Sequence, residues 1–198
     1  MGFFGPSKDE VWRKLCQEIG AKFVEGGWKG NKVQAIVGPW TVTLDTYAVS
    51  NGKTSTSYTR MRAPYVNPEG FRFTIYRKSI FSGLGKMLGM QDIEVGDPAF
   101  DEAFIIQGNN EPRVHHLFAD RGLRALVEAQ PAIRLDVKDS EGWFGAKFPE
   151  NVDELHFQVV GVLTDAERLK SLFDLFAAVL EQLCKIGSAY KQDPGVAL

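Results

Sequence analysis

The feature that most constrains the fold is an alternation of polar and apolar residues around the dipeptide Asn51-Gly52. In the preceding segment, Trp40–Ser50, side chains alternate with the two-residue period of a half-buried β-strand. Asn-Gly is favoured in tight hairpin turns because both turn positions require a positive φ. A segment rich in Thr, Ser and Tyr returns over residues 53–63. The sequence therefore predicts an antiparallel hairpin here.

Other segments extend the hairpin into a larger sheet. Residues 22–28 and 32–37 flank a Gly-Asn turn, and residues 71–76 follow a turn that Pro64 and Pro68 mark. In the second half, similar patterns predict strands over residues 103–107, 132–138, 143–148 and 154–162. Because apolar and polar residues alternate, we expect an antiparallel meander with one buried face and one polar, solvated face.

Helices are predicted at both ends and in the middle of the chain. Residues 7–10, Ser-Lys-Asp-Glu, have the spacing of a capping box, and Gly20 can end the helix that follows. Two central helices are predicted over residues 111–119 and 121–130. A wide apolar stripe over residues 169–183 predicts a long C-terminal helix.

Runs of strands closed by helices are typical of an α+β fold. We expect a largely antiparallel sheet with an N-terminal helix, a central helical pair and a long C-terminal helix packed on the sheet. A length of 198 residues suits one domain. Because no flexible linker interrupts the chain near Gly96, we expect a single domain with two lobes, about residues 7–95 and 96–190.

Charge is distributed unevenly, although the net charge is only −2. Residues 1–96 contain 13 Lys and Arg against 8 Asp and Glu, whereas residues 97–198 contain 10 against 17. The halves either form a basic and an acidic face or pack together and screen each other. We expect no nucleic-acid partner. No apolar stretch reaches the roughly 18 residues that a transmembrane helix needs, so we expect none, and Cys16 and Cys184 look like reduced, buried thiols of a cytoplasmic protein.

One segment resembles a known family. It reads Gly96-Asp97-Pro98-x-Phe100-Asp101-x-x-Phe104-Ile105-Ile106-x-Gly108, followed by Val114-x-x-Leu117-Phe118 and Leu123-x-x-Leu126. This pattern resembles bacterial domain-of-unknown-function proteins with a G-D-x-x-F-D-x-x-F-x-V-x-G/S segment before a helical run, over roughly residues 90–165. The resemblance implies no catalytic residues, since none are established for that family. The residues themselves indicate a turn, in which Asp97 and Asp101 accept backbone N–H groups while both phenylalanines enter the core.

No catalytic, metal or cofactor motif stands out. His115 and His116 are adjacent and would point about 100° apart on a helix, and His156 is far along the chain, so we expect no metal site. Acidic residues over 92–102 lack the spacing of an EF-hand and indicate a solvated loop. We expect no cofactor. An enzyme of unknown reaction remains an alternative and would require convergent ionisable groups in a pocket.

The leading hypothesis concerns the polar side of the predicted sheet. If residues 53–63 and 71–76 pair, three guanidinium groups and two phenols share one face: Tyr58, Arg60, Arg62, Arg72 and Tyr76. Guanidinium groups bind carboxylates and phosphates, and tyrosines supply rigid contact area. This favours a non-catalytic binding or interaction module for a small anionic ligand or an acidic protein surface. The alternative is a solvated face with cross-strand Arg–Tyr stacking.

A second hypothesis concerns residues 77–90, where basic side chains flank an apolar helical pattern. The contact residues would be Ile80, Phe81, Leu84, Lys86 and Met87. A basic amphipathic segment can bind a membrane surface or a partner helix. The alternative is a lid packed on the core, weakened as a helix by its three glycines, Gly83, Gly85 and Gly89.

Overall fold

An eight-stranded antiparallel sheet lies at the centre of the structure, a computed structural model that describes residues 6–80, 92–139 and 148–198. Its strands are β1 (Lys22–Val24), β2 (Lys32–Val37), β3 (Trp40–Ser50), β4 (Ser55–Val66), β5 (Phe73–Arg77), β6 (Phe104–Gly108), β7 (Arg134–Lys138) and β8 (Val152–Val160). Their order across the sheet is β1-β2-β3-β4-β8-β7-β5-β6. The predicted strand over 143–148 falls mostly outside the described residues.

The predicted hairpin is confirmed. Ser50 pairs with Ser55, and the Asn51 side chain accepts the N–H groups of Lys53 (3.1 Å) and Thr54 (2.9 Å). Gly52 has a φ of 83°, a left-handed conformation that glycine adopts without strain. The dipeptide therefore marked the position of the turn, but the loop spans residues 51–54 instead of two residues, and of Asn51 and Gly52 only the glycine has a positive φ.

Pro64 was predicted to mark a turn, and that prediction is wrong because β4 continues through it to Val66. The pairing of β3 with β4 ends at Thr43 and Arg62, whereas β4 stays paired with β8 to its end. Proline has no N–H to donate to a neighbouring strand. Beyond Arg62, β4 has a paired strand on one side only among the described residues, so a proline is tolerated there.

The predicted meander holds for β1 to β4 and then fails. β5 does not pair with β4, because β8 and β7 lie between them. Strands from before and after Gly96 are therefore interleaved within one sheet. The division of the domain into two lobes stays a prediction.

Helices pack on one face of the sheet and confirm the α+β fold. They are α1 (Lys8–Ile19), α2 (Pro98–Ala103), α3 (Glu111–Phe118), α4 (Arg121–Glu128) and α5 (Ala166–Lys185). The capping box at Ser7 and Glu10 is present, and Gly20 ends α1 with a φ of 68°. Cys16 is buried in α1, whereas Cys184 in α5 is only half-buried.

The segment that resembles a known family forms a helix where a turn was predicted. Asp97 caps α2 by accepting the N–H of Phe100, which converts the turn into six helical residues. Asp101 accepts the N–H groups of Val95 (2.8 Å) and Gly96 (3.0 Å), as expected. The rings of Phe100 and Phe104 are buried with centroids 4.7 Å apart. Both aromatic residues therefore serve the core.

The strand register aligns one apolar residue from each strand on the face that the helices cover. This transverse apolar row consists of Phe23, Val33, Leu44, Met61, Phe157, Leu135, Ile75 and Ile106. All except Phe23 are at most 2% exposed. Together with the apolar faces of the helices, the row forms the core.

Candidate functional site

A polar row crosses the other face of the sheet, one residue along from the apolar row. This transverse polar row consists of Lys22, Gln34, Thr43, Arg62, His156, Asp136, Thr74 and Gln107, again one residue from each strand. Asp92 forms a bridge with Gln107 beyond β6 and accepts a hydrogen bond of 2.8 Å from its side chain. A polar line therefore spans the full width of the sheet.

The centre of this row is buried, which corrects the expectation of a solvated polar face. Arg62 is 5% exposed, and His156 and Asp136 are each 4% exposed. Burying charged groups costs several kcal/mol unless they are paired and hydrogen-bonded. The arrangement of charges around these three residues therefore decides whether the face is stable.

A histidine–carboxylate pair lies at the middle of the row. His156 Nδ1 is 3.1 Å from Asp136 Oδ1, and Arg134 lies 3.5 Å from the other carboxylate oxygen. Burial lowers the pKa of His156 and outweighs the carboxylate beside it, so the neutral imidazole donates its Nδ1–H to Asp136. Burial also lowers the pKa of Lys138, against the nearby charges of Asp136 and Glu154.

Asp136 stays ionised in this environment. Burial alone would raise its pKa, but the hydrogen bond from His156 and the charge of Lys138 outweigh burial and hold the pKa below its ordinary value. A buried carboxylate that keeps its charge attracts cations and hydrogen-bond donors. Asp136 is thus the negative centre of the face.

A second carboxylate, Asp45, holds two arginines of the neighbouring strand. Arg60 binds it in a two-pronged geometry through Nε and Nη2, each at 2.9 Å, and Arg62 Nη2 contacts the same carboxylate. Burial would raise the pKa of Asp45, but both guanidinium groups outweigh it and lower the pKa. Two guanidinium groups share one carboxylate here, which fixes both arginines.

Half-buried aromatic and exposed apolar side chains continue the same face toward the tip of the β3–β4 hairpin. We call Tyr47, Val49, Tyr58, Arg60 and Val160 the hairpin patch. The two tyrosine rings stack with centroids 5.2 Å apart, and the guanidinium of Arg60 lies 4.9 Å from the Tyr47 ring. Val49 is 52% exposed and Val160 66%. The patch therefore combines rigid aromatic area, a fixed cation and accessible apolar surface.

The predicted binding set is only partly brought together. Tyr58, Arg60 and Arg62 are close to one another on β4, whereas Tyr76 shares the face but lies across β8 and β7 on β5. Arg72 precedes β5 and forms ion pairs with Asp139 (2.9 Å) and Asp153 (3.4 Å). The set is divided because the assumed pairing of its two strands is wrong.

The predicted membrane or partner contacts cannot be placed. Phe81, Leu84, Lys86 and Met87, with the side chain of Ile80, lie outside the described residues, so that hypothesis stays a prediction. Upstream of them, Lys78 Nζ donates to the Asp101 carbonyl at 2.9 Å. Within the three described ranges, no helix combines the length and hydropathy that crossing a membrane requires.

Sequence reasoning missed the carboxylates and the histidine of this face. The alternation places Asp45 on the polar side of the segment Trp40–Ser50 but indicates no partner for it, and it does not connect Asp136 with His156 because they lie on different strands. One signal was available for Asp136 and His156: each lies in its strand directly between two buried apolar residues. Charged residues in such strands are rarely tolerated without a partner.

Comparison with known proteins identifies the architecture alone. No model of a known protein family matches the sequence, and no curated protein matches it. One solved structure, the crystal structure of the mycobacterial trehalose monomycolate transport factor A, TtfA, has a similar fold with a TM-score of 0.53. The alignment covers 89% of this chain and 94% of that chain at 6% sequence identity. An identity this low shows a shared fold and transfers no function.

Proposed function

We propose that this protein is a non-catalytic binding module whose hairpin patch contacts an acidic, partly apolar surface of a protein partner. The observation that carries the proposal is the stacked Tyr47–Tyr58 pair with Arg60 fixed beside it and Val49 and Val160 exposed around it. Tyr and Arg are the residues that most often dominate binding energy at protein interfaces.

The geometry favours a protein surface over a small anion. A small ligand is usually enclosed in a concave pocket, whereas the patch lies on strands near an exposed hairpin tip. The tyrosines have little conformational freedom left to lose on binding, because they are stacked and Tyr47 also donates a 3.0 Å hydrogen bond to Gln158. Ordering costs at an interface are about 0.5–1.5 kcal/mol for each flexible side chain, so this rigidity supports binding.

Arg60 would supply the charge preference. Asp45 accepts from both Arg60 and Arg62, so one carboxylate faces two guanidinium groups. A carboxylate of the partner would meet an arginine that is already held in place. Complementary charge of this kind raises association rates and selects among partners more than it raises affinity.

A matched pair of substitutions at Val160 tests the proposal. The probe is a fluorescein-labelled synthetic peptide in which Glu alternates with Leu, and binding is measured by fluorescence anisotropy at low ionic strength. Val160→Glu should weaken binding at least about tenfold, which corresponds to about 1.4 kcal/mol, whereas Val160→Lys should strengthen it. Both side chains are accommodated because this position is 66% exposed.

Lys170→Ala is the control, since Lys170 is exposed on α5, on the side of the sheet that the helices cover. It should leave peptide binding unchanged. Equal affinities for Val160→Glu and Val160→Lys would contradict the proposal. If citrate competes at the patch as well as the peptide does, the ligand is a small anion and the protein-surface assignment is wrong.

Membership of the domain-of-unknown-function family, suggested by residues 96–108, stays a prediction and adds no activity to this proposal. A bacterial source and a cytoplasmic location are likewise predictions. We propose no reaction, because the cleft that the described residues form is not lined by the buried Asp136–His156 pair.

A further inference from the structure

The C-terminal segment lies across the first strands of the sheet and encloses a cleft there. The cleft has a volume of about 440 Å³. Its floor is formed by side chains of β1 to β4 on the polar face of the sheet, namely Lys22, Gln34, Ile36, Thr41, Thr43 and Pro64. Its other wall is formed by Asp193 and residues 195–198 of the segment itself. It adjoins the polar row through Gln34 and Thr43 but contains no residue of the hairpin patch.

The chain reaches this cleft by passing around the end of β4. After α5, the Tyr190 N–H donates to the Val66 carbonyl at 3.2 Å, which forms an isolated bridge at the last residue of the strand. Further along, Val196 and Leu198 are half-buried while Gly195 and Ala197 are exposed. This two-residue alternation is that of an extended segment with one side turned to a surface.

Two side chains of β2 hold the end of the segment. The Leu198 carbonyl oxygen accepts hydrogen bonds from Lys32 Nζ and from Gln34 Nε2, the latter at 3.4 Å. Gln34 is itself positioned by Thr43, whose hydroxyl oxygen lies 3.5 Å from the same amide nitrogen. The sheet face thus presents a cation and an amide to a backbone oxygen.

The segment does not fill the surface on which it lies. Ile36 forms part of the cleft floor yet remains 74% exposed, so apolar area is available to a longer or bulkier occupant. The segment also has few hydrogen bonds to the sheet. Among the described residues, the side-chain donors of the sheet that reach it are Lys32 and Gln34, and both donate to the Leu198 oxygen. A weakly held occupant on a partly open site can be displaced by a better ligand.

We infer that the sheet surface beneath residues 193–198, which forms the floor of this cleft, is a binding site for an extended peptide with small apolar side chains, and that residues 193–198 are its intramolecular occupant. Lys32 and Gln34 bind a main-chain oxygen of the peptide, and apolar side chains at alternate positions contact Ile36 and Pro64. The occupant of the free protein is the chain's own segment, and the partner is a peptide of the same chemistry. This inference does not depend on the hairpin patch.

Tethering sets the size of the competition. A segment joined to the sheet by a short linker has an effective concentration of about 1 mM. If the same segment as a free peptide had a dissociation constant of about 0.1 mM, the tether would weaken binding of an added peptide about tenfold. Releasing the segment should therefore raise the apparent affinity by a similar factor.

The test uses the full chain and a labelled peptide, Asp-Pro-Gly-Val-Ala-Leu, whose sequence is that of residues 193–198. Val196→Asp places a charge on the apolar side of the segment and should unseat it. Fluorescence anisotropy should then show about tenfold tighter peptide binding to Val196→Asp than to the unmodified chain. Adding Lys32→Ala and Gln34→Ala to the Val196→Asp variant should abolish most of that binding.

Val160→Glu, in the hairpin patch, is the control and should leave binding of this peptide unchanged, so that failure of this inference and failure of the proposed function are distinguishable. Unchanged far-ultraviolet circular dichroism verifies the fold of each variant. Equal peptide affinity for the unmodified chain and Val196→Asp would overturn the inference. So would a peptide affinity that does not respond to the loss of Lys32 and Gln34.

Discussion

The two transverse rows of the sheet are neighbours along every strand and differ in chemistry. The apolar row faces the helices, and the polar row faces away from them, yet the central residues of both rows are buried. Burial of the apolar row is what hydrophobic stabilisation alone would produce. Hydrophobic stabilisation does not explain burial of the polar row, because replacing a buried ion pair with well-packed apolar residues often leaves stability unchanged or increases it. The comparison indicates that hydrophobic burial accounts for the first row, whereas burial of the second row depends on the pairing of its charged groups.

The largest expected effect is the removal of a large side chain from the apolar row. Phe157 is fully buried between Met61 and Leu135, its partners in the register. Phe157→Ala should lower the free energy of unfolding by about 3–5 kcal/mol, through lost transfer energy and a residual cavity. Urea denaturation followed by circular dichroism measures the loss. Val160→Ala, on the exposed end of the same strand, should change stability by no more than about 0.5 kcal/mol.

Breaking the central pair of the polar row comes next. Asp136→Ala should cost about 3 kcal/mol, since it leaves His156, Lys138 and Arg134 without the carboxylate that they face. His156→Ala in the Asp136→Ala background should cost less than in the unmodified chain. A double-mutant cycle by urea denaturation should give a coupling of about 1–3 kcal/mol. Additive losses would show that the two side chains do not stabilise each other.

Sequence reasoning recovered the parts of the fold that depend on local signals. The capping box at Ser7, the hairpin at Asn51 and the apolar stripe of α5 each follow from residues close together in the chain. The pairing of β4 with β8 depends on contacts across about a hundred residues, which periodicity does not encode. For the same reason, the alternation placed Arg60 and Arg62 on one face but did not identify Asp136 and His156 as their neighbours. It also did not predict that the centre of that face is buried.

Acid should destabilise the protein first through the polar row. Burial holds the pKa of His156 in the folded state below its usual 6.5, so the unfolded chain binds the proton more readily. Stability should therefore fall as the pH drops below about 6.5, with a slope of at most about 1.4 kcal/mol per pH unit for one group. The lowered pKa values of Asp45 and Asp136 add a further loss only below their usual 3.8.

Urea midpoints at pH 7.5, 6 and 5 test this order. His156→Gln keeps a polar side chain but cannot titrate, so its midpoint should change less between pH 7.5 and pH 5 than that of the unmodified chain. A midpoint that falls equally in both proteins would assign the acid sensitivity to other groups. Core variants such as Phe157→Ala should keep the pH dependence of the unmodified chain, because the apolar row has no titrating group.

The smallest effect is expected at the outer end of the two rows, where both reach β1. Lys22 is exposed at the end of the polar row, and Phe23 is half-buried at the end of the apolar row, with Arg13 lying 4.0 Å from its ring. Phe23→Ala should cost about 1–2 kcal/mol, less than Phe157→Ala because less area leaves water on folding. Lys22→Ala should stay within about 0.5 kcal/mol of the unmodified chain in urea denaturation.

Because Lys22 also lines the cleft beneath residues 193–198, the same variant in the Val196→Asp background should weaken binding of the labelled peptide. If Lys22→Ala instead lowered the free energy of unfolding as much as Phe23→Ala does, the polar row would belong to the structural core along its whole length. The contrast between the two rows would then no longer hold.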